Sequence, residues 1–264
     1  MDFVFFLKLF LSFIVGGLWI IFATTMADKF GTKIGGLIAG LPSTVLFSLL
    51  FIVITQSSQK AVETTTIIPA IGGVDVLFMV AYIYFTKKHP LHALAFSCLL
   101  WTIFAFLLVM SHFDNYYLSL AIYLFLFLAS FIFVEKILHV PAVSGKKVVY
   151  TSSNIVFRGL VSGGTIALSV LFAKLFGANL GGIFAMFPAA TASMILITAK
   201  EHGSAFSAAM TKSVLYSMTS TIVYALLVRY TYPLVGFYWG TCFSLVGSSL
   251  TALLLYQFII KRAK

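Results

Sequence analysis

The stretch GTKIGGLIAGLPST at residues 31–44 returns 146 positions later as GANLGGIFAMFPAA at residues 177–190. One gapless offset aligns a leading Gly, a Gly-Gly pair (Gly35-Gly36; Gly181-Gly182), a small residue (Ala39; Ala185) and a proline (Pro42; Pro188). Self-similarity at a fixed offset is the signature of an internal repeat. The two copies therefore set the frame for reading the rest of the chain.

An apolar fraction of 61%, with only 9% charged residues and a mean hydropathy of +1.08, lies far outside the soluble range. Runs long enough to cross a bilayer can be drawn at residues 3–26, 33–55, 61–85, 91–110, 116–138, 155–176, 180–199, 205–228 and 234–260. The first four repeat as the last four, and the fifth is left over. A repeat shifted by an odd number of spans enters the bilayer upside down relative to the first. The expected fold is thus an all-α polytopic membrane protein. About nine transmembrane helices form two inverted four-helix repeats, residues 1–112 and 154–264, joined by a linker helix and loop at 113–153. The first run, lacking a positive n-region, is expected to be a transmembrane helix rather than a cleaved signal.

The net charge of +10 follows from topology rather than from nucleic acid, because Lys and Arg flank apolar runs instead of clustering on a soluble face. Their bias to one side predicts an outside N-terminus and a cytoplasmic C-terminus in a prokaryotic cytoplasmic membrane. Cys98 and Cys242 lack metal or disulfide spacing, so no cofactor and no metal are expected. The expected partners are membrane lipid and a small-molecule or ion substrate. The fifth run reads as a lipid-facing connector, with Tyr116 and Tyr117 in an interfacial belt and Glu135-Lys136 at the opposite boundary.

Candidate chemistry gathers in four places. Pro42 and Pro188 each remove a backbone N–H and crowd the carbonyl four residues earlier, and paired breaks in two inverted halves point to a transporter's binding site. Ser43 and Thr44 add hydroxyls to the first break, whereas alanines follow the second. The glycines beside the breaks also read as simple helix packing. Asp75 lies mid-run in the third span, where a carboxylate costs about 2.5–3.5 kcal/mol; it must face the interior, where it can exchange a proton or fix helix packing. Thr64, Ile68 and Gly72 share its helical face, and Pro69 loosens the backbone between them. Lys8 and Glu63 lie at similar depth, so either they pair or both snorkel. Arg158 and Lys212 lie a turn or more inside their runs with no acid of the second repeat at their depth. They either snorkel or attract a carboxylate or phosphate.

The Gly, Gly-Gly, Ala, Pro pattern ahead of a long apolar run, within spans arranged as inverted repeats, resembles that of carriers of the drug/metabolite-transporter type. The motif is also similar to that of small GlpM-like bacterial membrane proteins. Those carriers have five helices per half, against four here. The resemblance implies a proton-coupled or exchange carrier of small solutes and assigns no catalytic residue. The reading is therefore a secondary active transporter, coupled to a proton or cation through Asp75, with its site between the second, third, seventh and eighth runs. An ion channel along the same polar helices, or a flippase for a phosphate-bearing lipid, is the alternative. An enzyme would need clustered Asp, His or Cys at membrane depth, and the sequence has a single central carboxylate.

Overall fold

A computed structural model describes residues 2–39, 42–87, 89–141 and 151–262, with side chains at 24, 27–39, 256 and 258–262 left out of the description. Within these bounds the chain is helical without strands. The elements are α1 (Phe3–Ala39), α2 (Ser43–Thr55), α3 (Ser58–Thr64), α4 (Ile68–Phe85), α5 (Pro90–Met110), α6 (Tyr116–Phe133) with a π-helical turn at Val134–Leu138, α7 (Ser152–Leu175), α8 (Ala178–Ala185), α9 (Ala189–His202) and α10 (Ser204–Arg262). Gly36, Gly40 and the packing expected of them lie outside the described side chains, as do Lys88 and the loop bearing Lys146-Lys147.

Among the described residues, seven segments are long and apolar enough to cross a membrane: Phe3–Ala23, Ile68–Phe85, Pro90–Met110, Tyr116–Leu138, Ser152–Leu175, Ala178–His202 and Ser204–Leu255. The difference from nine runs has two causes. The second run is divided, its start continuing α1 and its end forming the 13-residue α2, too short for the roughly 20 residues a spanning helix needs. The eighth and ninth runs form one helical stretch. They part at Gly236, whose φ of 78° leaves the helical region, a conformation glycine adopts without a Cβ clash.

Close packing is concentrated where side chains are absent. A Cβ on Gly163 would stand 2.5 Å from the Phe13 carbonyl oxygen, and one on Gly17 would stand 2.9 Å from that of Gly159. As α1 advances from Phe13 to Ile21, its partners on α7 retreat from Gly163 to Gly159, so the two helices cross antiparallel with their backbones in contact. Without water to drive association in a bilayer, such backbone approach is how helices gain dispersion contact. Gly181 and Gly182 do the same for α8: a Cβ on the first would stand 3.0 Å from Ala173 Cα, and on the second 2.7 Å from the Thr64 carbonyl oxygen.

Two expectations about individual helices are corrected. The third run is not one helix with a loosened middle, because α3 stops at Thr64 and α4 starts at Ile68 with Pro69 in its first turn, where a missing N–H costs nothing. Ala70 N–H instead donates to Ser119 Oγ of α6 at 2.8 Å. The fifth run is more than a connector. One face of α6 lies on α4, where a Cβ on Gly73 would meet Leu126 Cδ1 at 2.8 Å, and Tyr123 bonds Thr219 of α10 at 3.0 Å. The other face, with Tyr117, Phe125 and Leu128, is exposed. Tyr116 is buried rather than interfacial, with the Arg229 guanidinium 4.4 Å from its ring centroid.

Candidate functional site

Both proline breaks form, and they have the same shape. Pro42 has φ −70° and ψ 35°, and Pro188 has φ −76° and ψ 38°. In each, the proline carbonyl accepts from the amide four residues on, Leu46 at 2.6 Å and Ala192 at 2.7 Å. A ring that fixes φ and forbids an N–H donor ends the preceding helix, and the same residue then serves as N-cap of the next. Neither new helix has a side-chain cap, so its amino end presents backbone N–H groups and the positive end of the helix dipole.

Asp75 is 2% exposed and accepts a hydrogen bond from Trp101 Nε1 at 2.6 Å. A charge-bearing group so deeply buried needs such a donor, since an unpaired one costs several kcal/mol (about 2–7 for a polar group, more for an ion). The pair arises because α4 and α5 form a hairpin. Asp75 lies ten residues before the end of α4 and Trp101 eleven after the start of α5, so they reach the same level. The Trp101 ring then stands edge-on against Phe187 at 5.1 Å, next to Pro188. A Cβ on Gly72 would lie 2.6 Å from Ile222 Cδ1 and 3.4 Å from Met186 Cε, so α4 closes on the same break from a second point. Asp75 is thus joined to the alanine-flanked second break. The sequence alone does not point to Trp101 or Phe187 as its neighbours. The near-equal distances of Asp75 and Trp101 from one tight turn are the available signal.

The remaining candidates separate. Ser43 is buried and accepts from Trp19 Nε1 at 3.2 Å, a bond that ties α1 to the first break beside the partly exposed Thr44. Thr64 Oγ1 donates to Lys60 O at 2.8 Å within α3 and so does not join the Asp75 stripe. Lys8 and Glu63 do not pair: Lys8 Nζ donates to Ile54 O at 2.9 Å, while Glu63 meets Lys60 at 3.3 Å. Arg158 does not snorkel; it is 4% exposed.

Lys212 is not an unpaired cation. Glu135, expected at the aqueous boundary, lies 3.1 Å from its Nζ, Val140 O accepts from it at 3.0 Å, and Tyr216 Oη donates to the same carboxylate. The acid comes from the linker helix, outside the repeat in which it was sought. The π-turn at Val134–Leu138 carries Glu135, a local widening of the helix that commonly re-aims a side chain. Replacing Lys212 by Met is expected to lower stability by about 2 kcal/mol, because Glu135 keeps its charge and loses its cation. Adding Glu135→Gln should recover most of that loss, measured as the unfolding midpoint in detergent.

A helical protein with several bilayer-length apolar helices, two proline-broken helices and, among the described residues, one buried carboxylate is the class these features define. The family described as protein of unknown function (DUF3147) matches residues 9–114 and again 155–261. The chain belongs to that family. The second match begins 146 residues after the first, the same offset that aligns the two glycine-proline stretches. No curated protein and no solved structure matches the chain.

Proposed function

We propose that the protein is a secondary active transporter embedded in a membrane, built from two inverted four-helix halves, which moves a small solute by alternating access with Asp75 as the proton- or cation-coupling group. The observation that carries the reading is the chain of contacts from the Asp75 carboxylate through Trp101 to Phe187 at the second break. A carboxylate at bilayer depth is costly, and a bistable broken helix beside it supplies the element whose two arrangements its protonation can bias.

Two observations support a repeat and a third its inversion. Pro42 and Pro188 share backbone angles, the family matches twice at the repeat offset, and the α1–α7 crossing is reciprocal. Gly163 is the offset equivalent of Gly17, and Gly159 is that of Phe13. Gly17 approaches Gly159 while Gly163 approaches Phe13, the pattern of a two-fold axis. Because the helices run antiparallel, that axis lies across them, in the membrane plane. On the Lys and Arg bias of the segments flanking the apolar runs, the N-terminus faces outside and the C-terminus the cytoplasm.

The test is uptake of labelled small carboxylates, amines and sugars into proteoliposomes, with and without an imposed pH gradient. Saturable uptake of one class, accelerated by the gradient, is the expected result. Single-channel currents without saturable exchange would overturn the carrier reading.

A further inference from the structure

One face of α7 carries a polar stripe that neither the coupling pair nor the α1 crossing uses. Asn154, Arg158, Ser162, Thr165 and Ser169 follow one another at intervals of four, four, three and four residues, one side of a helix. Both ends of the stripe are tied to the broken α8–α9 arm. Ser169 Oγ donates to Gly181 O at 2.7 Å, and Asn154 Nδ2 donates to Glu201 Oε1 at 2.8 Å. The whole stripe therefore faces that arm.

The two bonds also set the level of each residue between them. From Ser169 to Asn154 is fifteen residues of α7, and from Gly181 to Glu201 is twenty of the arm. Scaled between these two ties, Ser162, seven residues from Ser169, falls about nine past Gly181, which is the opening turn of α9. Its hydroxyl is fully buried and finds no hydrogen-bond partner among the described residues. An orphaned buried hydroxyl is destabilising. That cost is offset when a ligand takes the bond. The amino end of α9 has no side-chain cap and attracts negative charge. Arg158, buried, is one turn from Ser162 on the same face.

We propose that Ser162, Arg158 and the amino end of α9 bind a small oxyanion, a carboxylate or a phosphate. Each component suits that chemistry: a hydroxyl that donates, a planar guanidinium that takes an oxyanion bidentately, and a helix end that completes the cradle. The Asp75–Trp101 pair meets the same break through Phe187, so the anion and the coupling carboxylate flank one movable element. On the carrier reading above, on which this step rests, the transported solute is an organic anion moved with a proton. The binding site itself stands without that reading.

The experiment is thermal unfolding of the purified full chain in a neutral detergent, titrated with sodium succinate and with inorganic phosphate. Sodium chloride at matched ionic strength and tetramethylammonium chloride are the controls. The expected result is a rise in midpoint with an oxyanion alone, growing with the logarithm of its concentration once ligand exceeds its dissociation constant. Ser162→Ala should leave the ligand-free midpoint unchanged or higher, since it removes the orphan, yet require roughly tenfold more anion for the same rise. A residue serving only to pack would not separate those two readouts. Arg158→Lys should retain a weakened response and Arg158→Gln none. An oxyanion response no larger than that of chloride, or an unaltered response in Ser162→Ala, overturns the proposal. In nanodiscs, stabilisation by phosphatidylglycerol with no response to soluble anions overturns the solute assignment and makes the ligand a headgroup phosphate. Anion binding without gradient-driven uptake would sink the carrier reading and leave the site intact.

Discussion

Gly163→Val is expected to cost about 3 kcal/mol or more and to lower the unfolding midpoint further than any other single substitution considered for this chain. The reason is the identity of the obstacle. A Cβ at that position meets the Phe13 carbonyl oxygen at 2.5 Å and Gly17 Cα at 3.2 Å, both backbone atoms, so no rotamer change relieves the contact. The helices must separate, and every contact along the α1–α7 crossing weakens with them. Gly164 is the control one residue away. Nothing lies within 4 Å of a Cβ there, so Gly164→Ala should stabilise by up to about 1 kcal/mol through the lower backbone entropy of alanine in a helix. Equal effects of Gly163→Val and Gly164→Ala on detergent unfolding would refute the crossing as the structural pivot.

The second large effect is on transport. Asp75→Asn keeps the volume of the side chain and an acceptor oxygen for Trp101 Nε1, but it cannot take up a proton. Gradient-stimulated uptake into proteoliposomes should fall by roughly tenfold or more, while solute exchange at equal pH on both sides persists. Trp101→Phe is the complement. It removes the donor 2.6 Å from Asp75 and leaves the carboxyl group titratable, so coupling should survive with a less stable protein, down by about 1–3 kcal/mol. Unchanged gradient dependence in Asp75→Asn would remove Asp75 from the mechanism. Loss of all exchange in a folded Asp75→Asn protein would point instead to a packing role.

The comparison between string and structure is clearest at particular residues. Pro42 and Pro188 were legible because a proline acts locally: its ring fixes its own φ and its missing donor breaks its own helix. The bilayer-length helices were legible for a similar reason, since length and composition are summed along one segment. Breaks without such a marker were hidden. The turn after Thr64 is contacted from far along the chain, since Arg229 Nη1 donates to Thr66 Oγ1 at 3.1 Å from a helix 163 residues away. The Lys212 pairing is not legible within its own repeat, because its acid, Glu135, comes from the linker helix.

What the sequence determined by itself was the repeated glycine-proline element, the helical class, the apolar lengths and the single central carboxylate. All are properties of neighbours along the chain or of a fixed offset within it. Only the tertiary structure decided which break Asp75 attends, which helices cross at Gly17 and Gly163, and that Ser162 is buried with no hydrogen-bond partner among the described residues. Those choices depend on which faces of separate helices meet. Crossing register is set by backbone approach at glycines, and a glycine in a sequence names the possibility of contact without naming its partner.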